Sequence, residues 1–142
     1  MLSCGFYHRH ETKSSTAYRH FNTFFGDPVR AQLTGIQNKI IKEDQLLESV
    51  EPVGAYLKNR LHEVEKKYPS LVNEVRGKGT FMAFTSETAE MRDALMLRMK
   101  YHGVNQGGCG TKSARFRPTL YFNKSHADFY VNALDKACKD LA

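Results

Sequence analysis

A stripe of apolar residues from Leu46 to Val64 constrains this chain more than any other feature. Leu46, Leu47, Val50, Val53, Leu57, Leu61 and Val64 recur mainly at gaps of three and four. That spacing predicts one long helix with a single apolar face, and such a face has to be covered by a second layer. Pro52 falls inside the stripe, so the helix is expected either to kink there or to start just before it. Tyr68-Pro69 ends the pattern, because the residue before a proline is pushed out of helical space.

The remainder of the 142 residues supplies the candidate cover. Asp27-Pro28 reads as an N-cap followed by proline at the first helical position, and Ala31, Leu33, Ile36, Ile40 and Ile41 continue at helical spacing to about Lys42. Residues 1–26 carry no sustained period and read as an irregular lead-in. Between Val72 and Ser86, Gly77 and Gly79 bracket Lys78 ahead of the apolar TFMAF, which predicts two short strands joined by a turn or bulge. Helical period returns from Glu87 to His102 through Met91, Leu95, Leu97 and Met99, with Gly103 as the stop. A glycine-rich stretch, Val104 to Gly110, leads into a predicted strand over Arg115 to Phe122, which Pro118 interrupts or forces to an edge. Ser125 is then expected to cap a last helix with Phe129, Tyr130, Ala133, Leu134, Ala137 and Leu141 inward.

The predicted order is α-α-β-β-α-β-β-α, an α/β (α+β) unit with a small sheet carrying helices on one face. Apolar residues at 41% and charged residues at 25% are those of a globular chain able to bury a core, not a disordered or fibrous one. No apolar run approaches the ~20 residues that a membrane-spanning helix needs, so no membrane partner is expected. The first residues, MLSCGFYHRHE, bring charge and histidines by position 8 and read as neither a secretory signal nor a transit peptide. The net charge of +6 is scattered, without a basic block or basic-aromatic repeat, so no nucleic-acid partner is expected. Cys4, Cys109 and Cys138 form no CxxC pair and read as free thiols in a reducing compartment. No carboxylate or cysteine accompanies His8 and His10 at ligand spacing, so no metal site is predicted.

The glycine clusters GKG at 77–79 and GGCG at 107–110 match neither GxGxxG nor the P-loop pattern. They serve either to turn the chain or to let backbone approach a ligand. RFRP at 115–118 places Arg115 and Arg117 on one face of a strand, flanking Phe116. A guanidinium fork suits a carboxylate, and the same pattern also makes a solvated strand face. No nucleophile elbow or triad context is present.

Four blocks go further than composition and period. YRHFNTFFGDP at 18–28, RGKGTFMAF at 76–84, GVNQGGCGTKSARFRPTLYF at 103–122 and HADFY at 126–130 resemble, in order and along essentially the whole chain, the class III aminotransferases. These are fold type I enzymes that use pyridoxal phosphate, and the blocks are most similar to the eukaryotic 4-aminobutyrate aminotransferase branch. The resemblance implies the C-terminal part of such an enzyme. Residues 1–43 would be the end of the large cofactor-binding domain and a connecting helix, and residues 44–142 the small domain. MLSCGF resembles the segment directly after the family's Ser-Lys-Lys motif, so the Schiff-base lysine is expected upstream of Met1, and no catalytic residue is assigned within the chain.

Two functional positions carry over from the resemblance. Thr23 matches the threonine whose hydroxyl reaches the cofactor phosphate of the neighbouring subunit in a homodimer. Arg115 matches the arginine near the substrate. In the family it pairs with a glutamate when 4-aminobutyrate is bound and meets the α-carboxylate of glutamate or 2-oxoglutarate in the other half-reaction. Gly107, Gly108 and Gly110 would line the active-site approach. The implied reaction passes the amine of 4-aminobutyrate to 2-oxoglutarate, with succinic semialdehyde and glutamate as products, and the isolated chain is expected to be inactive. The other readings are a truncated interaction module that binds full-length subunits, and a different class III ω-aminotransferase. The expected location is intracellular, in the mitochondrial matrix or cytoplasm.

Overall fold

The computed structural model describes residues 9–19, 23 and 26–142, which fall into two compact units divided between Asp44 and Gln45. Cys4, His8 and most of the aromatic lead-in, including Phe6, Phe21, Phe24 and Phe25, lie outside the described residues.

In the first unit a short 3-10 turn at His10–Thr12 precedes helix α1, Pro28–Glu43. The Asp27 carboxylate accepts hydrogen bonds from the amides of Val29 (3.0 Å) and Arg30 (3.1 Å), and Pro28 follows it as the sequence predicts. That cap satisfies two of the donors every helix start leaves open. The expected apolar stripe is present, but no described residue covers it: α1 buries none of its residues, and Val29, Leu33, Ile36 and Ile40 are exposed.

The second unit begins with helix α2, Leu46–Lys67, which runs through Pro52 and starts six residues before it. Pro52 removes the bond that Glu48 would accept, and both residues are exposed, which leaves the freed carbonyl on the solvent side of the helix. Leu46, Val53, Gly54, Leu57, Leu61 and Val64 are buried, whereas Leu47 faces solvent. Strands β1 (Asn73–Lys78) and β2 (Phe81–Thr85) form a hairpin, with a bulge between Asn73 and Arg76 that places Glu74 at φ 52°. Helix α3, Ala89–Tyr101, is capped by the Thr88 hydroxyl and ends at His102, with Gly103 after it at φ 85°. Leu95, Met96 and Met99 carry its buried face; Leu97, expected inward, is 54% exposed because it sits half a turn away from Leu95 and Met99.

Strands β3 (Gly107–Cys109) and β4 (Ser113–Phe116) complete an antiparallel sheet of order β1-β2-β4-β3. The predicted strand over Arg115 to Phe122 is therefore shorter and earlier. It begins at Ser113 and stops before Pro118, which has no amide hydrogen to give a ladder. β4 is also an interior strand, so of the two expectations for Pro118 it is the interruption that is found.

Helix α4, Lys124–Lys139, is capped by Asn123 rather than Ser125. The Asn123 side chain accepts from the His126 amide (3.1 Å), the His126 ring accepts from the Asn123 amide (3.3 Å), and the Ser125 hydroxyl donates to the Asn123 side chain (2.7 Å). This is a capping box with histidine in the place usual for glutamate or glutamine. The buried face runs through Ala127, Tyr130, Val131, Ala133, Leu134, Ala137 and Cys138 at helical spacing, and Phe129, expected inward, lies off it and is 58% exposed.

The core lies between one face of the sheet, through Val75, Met82, Phe84 and Ala114, and the buried faces of α2, α3 and α4. A polar latch joins α2 to α4: one Asp128 carboxylate oxygen accepts from the Tyr56 hydroxyl and from Arg60, each at 2.6 Å. The other sheet face carries no helix of this unit. This leaves the side chains of that face to build a site.

Candidate functional site

Strand register decides which residues share the open face. Arg76 pairs with Ala83, Ala83 with Arg115, and Arg115 with Gly107, so these four form one row across the sheet. Directly paired residues point to the same side, opposite to Met82, Phe84 and Ala114 in the core. Ala83 and Gly107 are small, and nothing lies within 4 Å of where a Gly107 Cβ would stand. The row is thus a shallow floor with a guanidinium at β1 and another at β4.

Two hollows meet at Arg115. One, of about 460 Å³, is lined by Arg76, Lys78, Phe81, Ala83, Cys109 and Arg115 among others. The second, of about 280 Å³, lies against Gln106, Gly107, Arg115 and Arg117. Phe116 fixes the strand between them. Its ring packs 4.2 Å from Tyr130 and 5.2 Å from Phe122, on the core side, which holds its neighbours Arg115 and Arg117 outward.

The two arginines of the row differ. Arg76 is fastened, donating to Thr85 Oγ1 (2.8 Å), Ser113 Oγ (2.9 Å) and the Glu74 carbonyl (2.9 Å). Among the described residues its one ion-pair partner is Glu74 at 4.0 Å, so most of its charge is not neutralised there. The Arg115 side chain makes no ion pair or hydrogen bond with any described residue. An unpaired guanidinium on a floor of small residues can grip a carboxylate through two parallel hydrogen bonds.

The glycines divide. Gly107 lines the smaller hollow and Gly110, at φ 58°, lines the larger one where β3 turns into β4. Gly108 points to the helical face and lines neither. A Cβ there would stand 2.5 Å from the Arg92 guanidinium, which crosses it to donate to the Ser113 carbonyl at 3.1 Å. Thr23 belongs to the first unit and is exposed. Register therefore brings together Arg115 and Gly107, with Gly110 beside them; Arg76 and Lys78 join that surface without having been singled out from sequence, while Gln106 borders the smaller hollow with its side chain turned to Tyr130. A strand alternation for RGK would have placed Arg76 outward, but only cross-strand register links it to Arg115.

The two buried ionisable groups of α4 lie in the core, on the helical side of the sheet. Burial, with a smaller contribution from Asp135, pushes the Cys138 thiol up to about 12. Burial also holds the Tyr130 hydroxyl protonated far above its ordinary range, against a hydrogen bond from that hydroxyl to Gln106. Among the described residues no group of three or more His, Cys, Asp or Glu side chains is arranged to hold a metal. No helix among them is long and apolar enough to cross a membrane.

The family model for aminotransferase class III matches residues 1–138. The chain belongs to the class III aminotransferases. It is 40% identical over 141 residues to a 4-aminobutyrate aminotransferase of Dictyostelium discoideum, covering 99% of this chain and 28% of that one. It is 43% identical over 127 residues to the Kluyveromyces lactis protein of the same name, covering 88% and 27%. The rat mitochondrial 4-aminobutyrate aminotransferase is 42% identical over 141 residues, 99% and 28%. The chain thus spans about 28% of the length of the relatives it matches.

Among solved structures, a lysine aminotransferase from M. tuberculosis superposes with TM-score 0.70 at 29% identity, over 73% of this chain and 24% of that one. An ornithine aminotransferase from Plasmodium yoelii shares the fold at TM-score 0.79 and 24% identity, over 89% and 34%. The family depends on pyridoxal phosphate. Thr23 is exposed, and a hydroxyl and a backbone amide are donors of the kind a phosphate oxygen accepts.

Proposed function

We propose that this chain is the C-terminal portion of a 4-aminobutyrate–2-oxoglutarate aminotransferase subunit. The observation that carries the reading is Arg115: an unpaired guanidinium on an open floor of small residues, in a chain about 40% identical to 4-aminobutyrate aminotransferases. On this reading residues 1–43 close the large domain and residues 44–142 are the small domain, whose open sheet face turns toward the substrate. The Schiff-base lysine belongs to the part of the subunit that precedes these residues. The homodimer lives in the mitochondrial matrix or the cytoplasm.

Each residue has a role in substrate handling. Arg115 grips the α-carboxylate of glutamate or 2-oxoglutarate and is screened by a carboxylate of the protein when 4-aminobutyrate, which has no α-carboxylate, occupies the site. Gly107 and Gly110 keep the approach free of side chains. Thr23 donates its hydroxyl to a phosphate oxygen of the cofactor held by the neighbouring subunit. Pyridoxal phosphate, when bound, supplies the electron sink for bond breaking at the amine-bearing carbon.

The test is a chimaera in which this chain replaces the matching segment of the Dictyostelium relative. The reading expects 2-oxoglutarate-dependent turnover of 4-aminobutyrate by the chimaera and none by the 142-residue chain alone. A folded chimaera that accepts other ω-amino acids but not 4-aminobutyrate would refute the substrate assignment and favour a different class III enzyme. A second reading, a module that binds complete subunits, draws on the uncovered stripe of Val29, Leu33, Ile36 and Ile40 on α1. Co-purification of the free chain with a complete transaminase subunit, without turnover by the chimaera, would favour it.

A further inference from the structure

Ser113, two residues before Arg115, is held from both faces of the sheet. On the open face the Arg76 guanidinium donates to the Ser113 hydroxyl at 2.9 Å and to the Thr85 hydroxyl at 2.8 Å, and the two hydroxyls lie 3.2 Å apart. On the helical face Arg92 donates to the Ser113 carbonyl at 3.1 Å. Arg76, Thr85 and Ser113 belong to β1, β2 and β4, so one ring of side-chain hydrogen bonds ties three strands together. Thr85 is only 8% exposed, and a hydrogen bond is stronger where water competes less for it.

Register shows what this ring does beside Arg115. Ser113 pairs with Thr85 in the row next to the one that holds Arg76, Ala83, Arg115 and Gly107. To reach its acceptors the Arg76 side chain leans out of its own row. The Glu74 carbonyl, in the bulge between Asn73 and Arg76, accepts a third bond from it at 2.9 Å. Arg115 therefore keeps Ala83 beside it while the like charge of Arg76 is drawn toward two hydroxyls. The strand that carries Arg115 is short, Ser113–Phe116, and Pro118 denies it a ladder further on. Where Arg115 stands thus depends on how firmly Ser113 is fixed.

We infer that the Arg76–Thr85–Ser113 ring is the positioning element of Arg115: it fixes the start of β4 and draws the Arg76 charge aside, so that the Arg115 guanidinium meets a carboxylate in one geometry. The three residues act through Arg115 and not on the substrate. The inference rests on the reading of Arg115 as the substrate arginine and adds the residues that aim it.

The experiment measures both half-reactions of the Dictyostelium chimaera carrying Ser113→Ala, Ser113→Thr or Arg76→Lys. Ser113→Ala removes one acceptor of the ring, and Arg76→Lys keeps the charge but loses the planar fork that spans the acceptors. Each should lower kcat/KM for 2-oxoglutarate and glutamate by about threefold to tenfold, chiefly through KM, the usual consequence of losing a hydrogen bond. The value for 4-aminobutyrate should stay within about twofold of the unsubstituted chimaera. Ser113→Thr keeps the hydroxyl and should restore the 2-oxoglutarate value. In the 142-residue chain, amide hydrogen exchange should quicken by a similar factor along β4 in Ser113→Ala and stay unchanged at the Lys78–Phe81 end of the hairpin. Should Ser113→Ala fail to fold, Arg76→Lys, at an exposed position, carries the test.

Equal losses in the two half-reactions would make the ring a general support of the fold and overturn the inference, as would unchanged kinetics in both Ser113→Ala and Arg76→Lys. If those variants behave as the unsubstituted chimaera while Arg115→Gln loses 2-oxoglutarate selectively, the inference fails and the reading of Arg115 stands. If Arg115→Gln itself changes neither half-reaction, that reading falls first and the inference with it.

Discussion

Replacing Gly54 by alanine tests how the open sheet face is held in place. Gly54 lies in α2, where alanine is ordinarily favoured over glycine by about 1 kcal/mol. A Cβ at this position, however, would stand 2.3 Å from the carbonyl carbon and oxygen of Gly79 and 2.7 Å from its Cα. Ordinary carbon contacts lie at about 3.5–4.0 Å, so the helix and the hairpin turn would have to separate by roughly 1 Å. Neither side can yield locally. Gly79 is backbone at φ 55° in the turn, and a Cβ built on it would itself stand 2.5 Å from Val50 of the same helix. Overpacking costs about 1–3 kcal/mol, and a clash this close against backbone falls in the upper half of that range, so set against the helix gain it leaves a net loss of about 1–2 kcal/mol. For a unit of this size that lowers the melting temperature by roughly 5–15 °C. Gly35 in α1 is the control, because nothing lies within 4 Å of its would-be Cβ and alanine there should gain up to about 1 kcal/mol of helix stability. The assay is thermal unfolding by far-ultraviolet circular dichroism of both variants. A Gly54→Ala protein as stable as the wild type would refute the close seating of the β1–β2 turn on α2, and with it the account of how Arg76 and Ala83 are aligned with Arg115.

Three other outcomes follow from the same geometry. Mapping of thiol labelling by mass spectrometry at pH 8 should find Cys109 modified in the native chain and Cys138 modified only after denaturation, since Cys109 is exposed and burial raises Cys138 to about 12. For Asp135, burial pushes the carboxyl up, but hydrogen bonds from Lys139 and Lys67 outweigh it and hold the group below the usual range. A depressed carboxyl contributes stability above its unfolded value of about 3.9 that is lost as pH falls through the folded value. Asp135→Asn should therefore cost about 1 kcal/mol at pH 7, with the difference from wild type closing below pH 4 in denaturant titrations. Removing the α2–α4 latch with Asp128→Ala should cost about 1–3 kcal/mol, more than Tyr56→Phe, because the carboxylate serves both Tyr56 and Arg60.

Element order was legible from periodicity because the stripes are long and the punctuation is strong. Asp27-Pro28, Tyr68-Pro69 and Gly103 each end or begin an element where backbone chemistry allows nothing else. Finer positions were decided by contacts that period cannot report. Asn123 and Ser125 are both good caps, and the reciprocal bond to His126 selects Asn123. Phe129 and Leu97 are apolar enough to suggest burial, yet each lies on the wrong side of its helix once the neighbouring residues pack. The α1 stripe shows the reverse case, a correct helix whose apolar face has no cover within the described residues.

The candidate site was legible only in part for a related reason. Arg115 stood out because the RFRP block resembles a known family, whereas spacing alone left it equally a solvated strand residue. Arg76 is 39 positions away in sequence and meets Arg115 through a two-strand register that no local pattern encodes.

The central claim is that Arg115 selects the carboxylate of one half-reaction. It is tested most directly by measuring both half-reactions of the Dictyostelium chimaera with Arg115→Gln. Loss of a bidentate charged contact should lower kcat/KM for 2-oxoglutarate and glutamate by about tenfold to a hundredfold and change that for 4-aminobutyrate by far less. Equal losses in both half-reactions, or no loss in either, would contradict the account.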